Sequence, residues 1–230
     1  MLHNYPDDTM SRRVSDLFSE DDLARIKKAV GEAEQSTSAE IVPFIVDHSD
    51  GYDEALWRSG LLVGVVLLGL FWILRLATPL WNPLGLGGTV AGILGAIVLV
   101  MICVRTIPGL TRLFAGKDRM KLRTIQRAQE AFLDEEIFAT QARTGILIFV
   151  SILERQVIVL GDSGVNKHVS EEEWHGLRDQ LVMAIRSGRA GKGMVEAIHK
   201  SGHLLEQHGL IRKADDRNEL PDRPRTEDRR

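Results

Sequence analysis

The stretch LLVGVVLLGLFWIL, Leu61–Leu74, decides how this chain is organised, because it interrupts a sequence with the pattern of a water-soluble α/β domain. From Leu56 to Leu76 the only charged residues are Arg58 and Arg75, one near each end. A helix needs about 20 apolar residues to cross the roughly 30 Å hydrocarbon core of a bilayer. The stretch therefore predicts a membrane-spanning helix.

A second apolar run, Gly88–Ile107, contains no charged residue before Arg105. The two runs are joined by ATPLWNPLGLGG, whose prolines and glycines and lack of charge are typical of a turn. The pattern predicts a two-helix hairpin with both ends on one side of a membrane. Gly88, Gly92 and Gly95 offer a face for close packing with another helix. The alternative is a pair of helices buried in a globular core, which the length of both runs disfavours.

Basic residues predict the orientation of this hairpin. The connecting turn has no Lys or Arg, whereas Arg58 flanks the start of the hairpin and seven basic residues lie at or beyond its end: Arg105, Arg112, Lys117, Arg119, Lys121, Arg123 and Arg127. The positive-inside rule places both flanks in the cytoplasm. We therefore expect a multi-pass protein of the cell inner (plasma) membrane, with the soluble domain and both termini cytoplasmic. The basic stretch RLFAGKDRMKLR would also attract anionic lipid, although setting the topology is a sufficient role for it.

Composition excludes several other classes of protein. The formal net charge is −3, so no basic field argues for nucleic acid. Cys103 is the single cysteine and lies in the second apolar run, so neither an internal disulfide nor a thiolate zinc cluster is available. The N-terminal sequence lacks the basic and apolar regions of a secretory signal peptide.

The sequence before the hairpin predicts one helix and one strand. Ser19 has the character of an N-cap and is followed by three acidic residues and an amphipathic pattern. EIVPFIV, Glu40–Val46, is rich in β-branched residues and predicts a strand, in which Pro43 indicates an edge position or a bulge.

The sequence after the hairpin predicts a long helix, from Leu113 to about Arg143, and then two strands joined at Glu154 and Arg155. Two helices follow: one is opened by a Ser170–Glu173 capping-box pattern, and the other runs from Met194 to about His208.

The strand before the hairpin would not be stable alone, so we expect it to pair with the strands after the hairpin. The predicted fold class is α/β, a sheet flanked by helices and interrupted by an inserted transmembrane hairpin. The predicted organisation is a flexible N-terminal arm, a first domain part, the hairpin, a second domain part and a disordered charged tail, at residues 1–17, 18–54, 55–108, 109–210 and 211–230.

This order of elements, with SAEIVPFIV, RTGILIFVSILERQVIVLGDSGV and SEEEW at matching places, resembles the TPM domain family. That family is named for a thylakoid lumen phosphatase-like protein, a photosystem II repair protein and a receptor-modulating membrane protein. The sequence is most similar to the bacterial membrane members. The resemblance implies an α/β sandwich, and some members bind calcium or hydrolyse phosphate esters. The hairpin after the first strand departs from the usual layout, and a cytoplasmic domain would meet little free calcium.

An acidic pair is the first candidate for chemistry. Glu40 opens the first strand and Asp162 follows a later one, so they could meet at one end of the sheet. Carboxylate oxygens are ligands for Ca²⁺ or Mg²⁺, and we take Glu40 and Asp162 as the candidate metal ligands. Asp47, Asp50 and Asp53 lie in the loop after the first strand, but without EF-hand spacing. The alternative is that Asp162 only makes a turn and Glu40 is a strand start.

Histidines and nucleophiles give weaker signals. His199 and His203 share a helix face, with His208 and His175 nearby in the sequence, but the metalloprotease spacing is absent. The GDSGV segment lacks the full nucleophile-elbow pattern, and no P-loop is present. No residue is therefore assigned as catalytic.

The sequence favours a non-enzymatic partner-binding or scaffolding module, anchored in the membrane by two spans. The partner would be another protein, or a second copy contacting through the hairpin. The alternative function is a metal-dependent phosphoester hydrolase of the acid-phosphatase kind, with Glu40 and Asp162 as ligands.

Overall fold

A computed structural model describes residues 13–78, 85–212 and 219–227 of the chain. These residues form two compact units. An α/β unit contains residues 13–50, 121–212 and 219–227, and a helical unit contains residues 51–78 and 85–120. The elements in chain order are α1 (Val14–Leu17), α2 (Glu20–Ser36), β1 (Glu40–Val46), α3 (Asp53–Ala77), α4 (Gly85–Thr106), α5 (Pro108–Ala115), α6 (Lys117–Asp134), a 3₁₀ turn (Ile137–Ala139), β2 (Gly145–Ser151), β3 (Gln156–Gly161), α7 (Ser163–Asn166), α8 (Glu171–Arg186), α9 (Ala190–Gln207) and β4 (Arg225–Glu227).

The sheet joins the chain on the two sides of the apolar helices. Its strand order is β3-β2-β1-β4, and β1 pairs in parallel with β2 along its whole length, from Glu40 opposite Gly145 to Val46 opposite Ser151. β2 and β3 form an antiparallel hairpin. The prediction that the strand before the hairpin pairs with those after it is confirmed, as is the α/β fold class.

Residues of the inner strands alternate between two cores. Ile41 and Ile45 of β1 lie in a core that includes side chains of α2, α8 and α9. Val42 and Phe44 point into the opposite core, which contains Ala128 and Ala131 of α6. Because neighbouring strand residues face opposite sides of a sheet, burial on both faces explains why β1 and β2 are almost wholly apolar.

The outer edge of β1 is protected by three different devices. The Ile41 amide donates to Glu34 Oε1 at 2.9 Å, and Pro43 has no amide hydrogen to offer. Further along, β4 pairs in parallel with Phe44–Val46, and the Asp47 amide donates to the Glu227 carbonyl at 3.3 Å. Pro43 is in regular register with β2, so it marks the edge and not a bulge. Unpaired strand edges invite pairing with other chains, and here the edge is covered.

β4 corrects the prediction of a disordered tail over 211–230. Arg127 of α6 is nearly buried, contacts both carboxylate oxygens of Glu227 at 2.6 Å, and lies over the Phe44 ring. Arg225 donates to Glu135 at 2.7 Å. The charges of this segment are therefore used in specific ion pairs, and the prediction is wrong for Arg225–Glu227. Residues 213–218 and 228–230 lie outside the described residues.

Two other predicted boundaries also change. Val14 and Phe18 are buried in the core, and the Val14 amide donates to Asp47 Oδ1 at 2.7 Å, so the predicted flexible arm 1–17 is ordered from residue 13 onward. Residues 1–12 lie outside the described residues. The long helix expected from Leu113 is interrupted at Gly116, whose φ of +84° is not helical, and it ends at Asp134.

The capping predictions are confirmed. The Asp22 amide donates to Ser19 Oγ at the start of α2. At the start of α8, the Ser170 amide donates to Glu173 Oε2 at 2.8 Å, and the Glu173 amide donates back to Ser170 Oγ. These reciprocal bonds satisfy amides that the first helical turn leaves without partners.

In the helical unit, α3 and α4 pack through Gly60 and Gly64 of α3 and not through Gly92 or Gly95 of α4. A Cβ on Gly60 would lie 3.2 Å from Ile97, and one on Gly64 would lie 3.1 Å from the same side chain. A Cβ added to Gly92 or Gly95 would have no atom of another part of the structure within 4 Å. Gly92 and Gly95 of the predicted small-residue face are therefore not used within the helix pair. The turn residues 79–84 lie outside the described residues.

Gly145→Ala should destabilise the α/β unit by about 3 kcal/mol, because the new Cβ would lie 2.0 Å from the Ile137 carbonyl oxygen. Gly176→Ala is the matched control: it lies on open α8 surface and should stabilise by about 0.5–1 kcal/mol. Thermal unfolding in detergent, followed by circular dichroism, measures both. Equal melting temperatures for the two variants would contradict the close approach at Gly145.

Candidate functional site

The predicted acidic pair lies at one end of the sheet, in a single row across three strands. Glu40 is opposite Gly145, and the Asp162 amide donates to the Gly145 carbonyl at 2.9 Å. Glu40 and Asp162 are therefore two strand spacings apart, about 10 Å between Cα atoms. The structure places them at a common sheet end, as expected, with the start of β2 between them.

Asp162 is held by an arginine. Its side chain is almost fully buried; Arg143 Nη2 donates to Oδ1 at 3.1 Å, and Nε lies 2.8 Å from Oδ2. Asp162 Oδ1 also accepts the Ser163 amide at 2.5 Å, since Asp162 is the N-cap of α7. The arginine thus combines a charge-assisted hydrogen bond to Oδ1 with an ionic contact to Oδ2. Asp162 thus fixes the turn that leaves β3. This is the role that the sequence analysis gave as the alternative to metal binding.

Glu40 has a comparable structural contact. Its side chain is buried, and Oε1 accepts the Glu219 amide at 2.8 Å. This bond attaches the segment that leads to β4 to the first residue of β1. A sequence reading has no means to find it, because the two residues are far apart in the chain.

As placed, Glu40 and Asp162 do not provide a converging set of oxygen ligands. Ca²⁺ and Mg²⁺ take six or more oxygen ligands around one point, whereas these carboxylates are two strands apart and Asp162 is already neutralised by Arg143. Within the described residues, no group of three His, Cys, Asp or Glu side chains is placed to share a metal ion. The ion site stays a prediction.

Glu34 is a buried acid beside this pair that the sequence reading missed. Its Oε1 accepts the Ile41 amide, and its Oε2 has no hydrogen-bond partner within the described residues. Burial is the main cause that raises the pKa of Glu34 to about 8, and the charges of Glu40 and Asp222 raise it further. The Ile41 hydrogen bond and Arg212 oppose this rise in pKa. Glu34 is therefore largely protonated at neutral pH.

A second polar cluster lies at the other end of the sheet, where β1 and β2 finish. Glu154 Oε1 accepts the Ser49 amide at 2.9 Å, and Oε2 accepts the Ser151 hydroxyl. The Ser49 hydroxyl donates in turn to Ser151 Oγ at 2.8 Å. The sequence signal here is the ER pair two residues after GILIFVS, which predicts only the turn between the two strands.

The geometry of this cluster suits a structural clamp. Glu154 ties the loop after β1 to the turn after β2, and it is held by donors from both. A nucleophilic serine needs a base and access to substrate, but Ser151 is 1% exposed and Ser49 is 8% exposed. Ser151, whose hydroxyl is bonded to the Glu154 carboxylate, is thus less accessible to a substrate than Ser49.

The histidines pair singly with glutamates. His199 lies 3.7 Å from Glu32, and His203 lies 3.6 Å from Glu206 on its own helix. His208 contacts Glu173 at 3.0 Å, and hydrogen bonds from His208 and Ser170 lower the pKa of Glu173 to about 2. Their spacing in α9 does not bring them into a common site.

The acids of the loop after β1 also have separate roles. Asp47 accepts the Val14 amide, Asp50 pairs with Arg123 at 2.8 Å, and Asp53 begins α3. The loop therefore uses its charges to orient neighbouring elements.

The fold defines an α/β domain with an inserted pair of apolar helices, and comparison with known proteins matches part of this domain to a family. The family model of the TPM domain matches residues 99–203, and over this part of the chain the resemblance is confirmed. The matched range starts within α4 and omits β1, although β1 pairs with β2 along seven residues.

One solved structure supports the fold alone. The NMR structure of the BA42 protein from the psychrophilic bacterium Bizionia argentinensis matches with a TM-score of 0.57 at 18% identity. The match covers 95% of this chain and 100% of that one. No curated protein matches the sequence.

Glu34→Gln should flatten the dependence of stability on pH. Because the folded pKa of Glu34 is raised above its ordinary value of 4.5, its contribution is complete below that value and is lost as pH rises through about 8. The melting temperature of the wild type should therefore fall by several degrees over this pH range, since each kcal/mol of lost stability lowers it by about 2–4 °C. The melting temperature of the variant should fall less. Melting curves from pH 5 to pH 9 measure this.

The control is Glu20→Gln, which removes an exposed acid from the first turn of the same helix and should keep the wild-type slope. Parallel slopes for Glu34→Gln and the wild type would contradict the assignment of a buried, protonated Glu34.

Proposed function

We propose that the protein is a membrane-anchored TPM domain protein whose α/β unit binds a partner at the cytoplasmic surface of the inner membrane. The observation that carries this proposal is the exposure of α3 and α4. Both helices are long and apolar enough to cross a membrane, and side chains such as Leu61, Leu76 and Leu86 are more than 70% exposed. A core helix of a soluble domain would bury these side chains, whereas a bilayer would cover them.

The state of the acidic residues supports a binding role over catalysis. Asp162 is engaged by Arg143, and Glu154 is held by two serines inside the fold. Catalytic acids and nucleophiles need access to substrate and a geometry that leaves them reactive. The conspicuous polar groups of the α/β unit instead hold strands, turns and tail together.

The unused face of α4 supports association through the hairpin. Ala91, Gly92 and Gly95 are exposed, and the two glycines lie against no other side chain. Small residues on one face allow helices in a membrane to approach closely. A second copy of the chain or a helix of another membrane protein would fit there.

The proposal predicts no phosphatase activity. The full-length protein in detergent should not hydrolyse a generic phosphate ester, with or without divalent ions, and millimolar Ca²⁺ or Mg²⁺ should leave its melting temperature unchanged. Turnover that is lost in Asp162→Asn but kept in Asp179→Asn, which changes an exposed acid, would support the hydrolase instead. A rise in melting temperature with Ca²⁺ that Asp162→Asn removes would establish the ion site.

The proposed orientation is tested by labelling. In a Cys103→Ala background, a cysteine replacing Asn82 should react with an impermeant thiol reagent applied outside intact cells. A cysteine replacing Ser187, on the α/β unit, should react only after the membrane is opened. The reverse pattern would refute the cytoplasmic placement.

A further inference from the structure

The end of the hairpin that carries its termini has an unusual surface, here called the basal surface, formed by Trp57, Arg58, Arg105, Leu113 and Lys117. Trp57 and Arg58 lie near the start of α3, and Arg105 lies in the last turn of α4. Leu113 lies on α5 and Lys117 begins α6. All five belong to the helical unit.

α5 is fixed against the hairpin by specific bonds. The Thr111 hydroxyl donates to the Val104 carbonyl at 2.5 Å, and Arg58 Nη1 donates to the Phe114 carbonyl at 3.5 Å. Pro108 at the first position of α5 turns the chain out of α4, and Gly116 ends the helix. α5 is therefore a short helix held at the end of the apolar pair.

α5 presents apolar surface beside basic side chains. Ala115 is buried, but Leu113 is 72% exposed, and the Trp57 side chain is 71% exposed. Indole rings concentrate at the level of lipid headgroups, and amphipathic helices lie in the same layer with their apolar side chains towards the acyl chains. The exposed leucine and tryptophan fit that layer.

Two cations of the basal surface are without an acidic partner in the part of the chain that the structure describes. Arg105 and Lys117 are exposed, and their side chains form no ion pair with the described residues. Arg119, two residues on, differs because it pairs with Glu54. Asp118 is the single acidic residue in the sequence from 55 to 129, a range with nine basic residues. The surface thus presents unpaired positive charge next to exposed apolar side chains.

We infer that the basal surface binds the headgroups of anionic phospholipids, an inference that rests on the proposed membrane anchoring. Arg105 and Lys117 contact the headgroup phosphates, while Trp57 and Leu113 insert among the acyl chains. Setting the topology requires positive charge but not lipid selectivity, so selectivity distinguishes this role from the topological one.

The test measures which lipids the full-length protein retains. The protein is purified in micelles that contain equal amounts of phosphatidylcholine and phosphatidylglycerol, and the retained lipids are quantified by mass spectrometry. We expect about a fivefold preference for phosphatidylglycerol for each cation that contacts it. The Arg105→Gln/Lys117→Gln variant should retain the two lipids about equally. The Lys27→Gln/Lys28→Gln variant, which removes the same charge from exposed positions of α2, should keep the preference.

Each contrary outcome has a definite meaning. Equal retention of both lipids by the wild type, or an undiminished preference in the Arg105→Gln/Lys117→Gln variant, overturns this inference but leaves the membrane anchor in place. A protein that stays in aqueous solution without detergent and retains neither lipid overturns the proposed function as well. If inorganic phosphate, in phosphatidylcholine micelles at constant ionic strength, raises the melting temperature of the wild type but not of that variant, the surface binds free phosphate and the inference is wrong.

Discussion

The parallel pairing of β1 with β2 is the contact on which the rest of the structure depends. It brings together residues about one hundred positions apart and gives β1 neighbours on the face of α2, α8 and α9 and on the face of α6. A seven-residue strand has no independent stability. Without this pairing β1 would have no sheet to join, and the two parts of the α/β domain, before and after the apolar helices, would not form one fold.

The polar residues at both sheet ends serve this pairing. Glu34 accepts a hydrogen bond from an amide at the edge of β1, and Glu40, at the start of β1, accepts one from the Glu219 amide. Asp162 holds the turn after β3, and Glu154 joins the loop after β1 to the turn after β2. Buried carboxylates are costly unless their oxygens accept hydrogen bonds, and most of these oxygens do. The acids at these positions hold strands, turns and tail in place.

Local patterns predicted the elements well, and long-range contacts account for what they missed. Strand β1, the apolar helices and the caps at Ser19 and Ser170 carry their signals within a few residues. The pairing of β4 does not, because Arg225–Glu227 has a polar composition typical of a flexible tail and is ordered by Arg127 and Glu135 from α6 and its end. The turn role of Asp162 was among the sequence-based alternatives, but its contact with Arg143 and that of Glu40 with Glu219 were hidden, because both depend on the folded chain.

The separation of β1 from β2 has a consequence for biosynthesis. At about 5–20 residues per second, β1 would emerge from the ribosome roughly 5–20 s before the strand it needs. During that delay only nearby residues can shield it. Pro43 offers no donor and Glu34 lies only seven residues before Ile41, so the residues of both devices are synthesised before the partner strand. The sequence around β1 thus helps to prevent the strand from pairing with other polypeptide chains before β2 is synthesised.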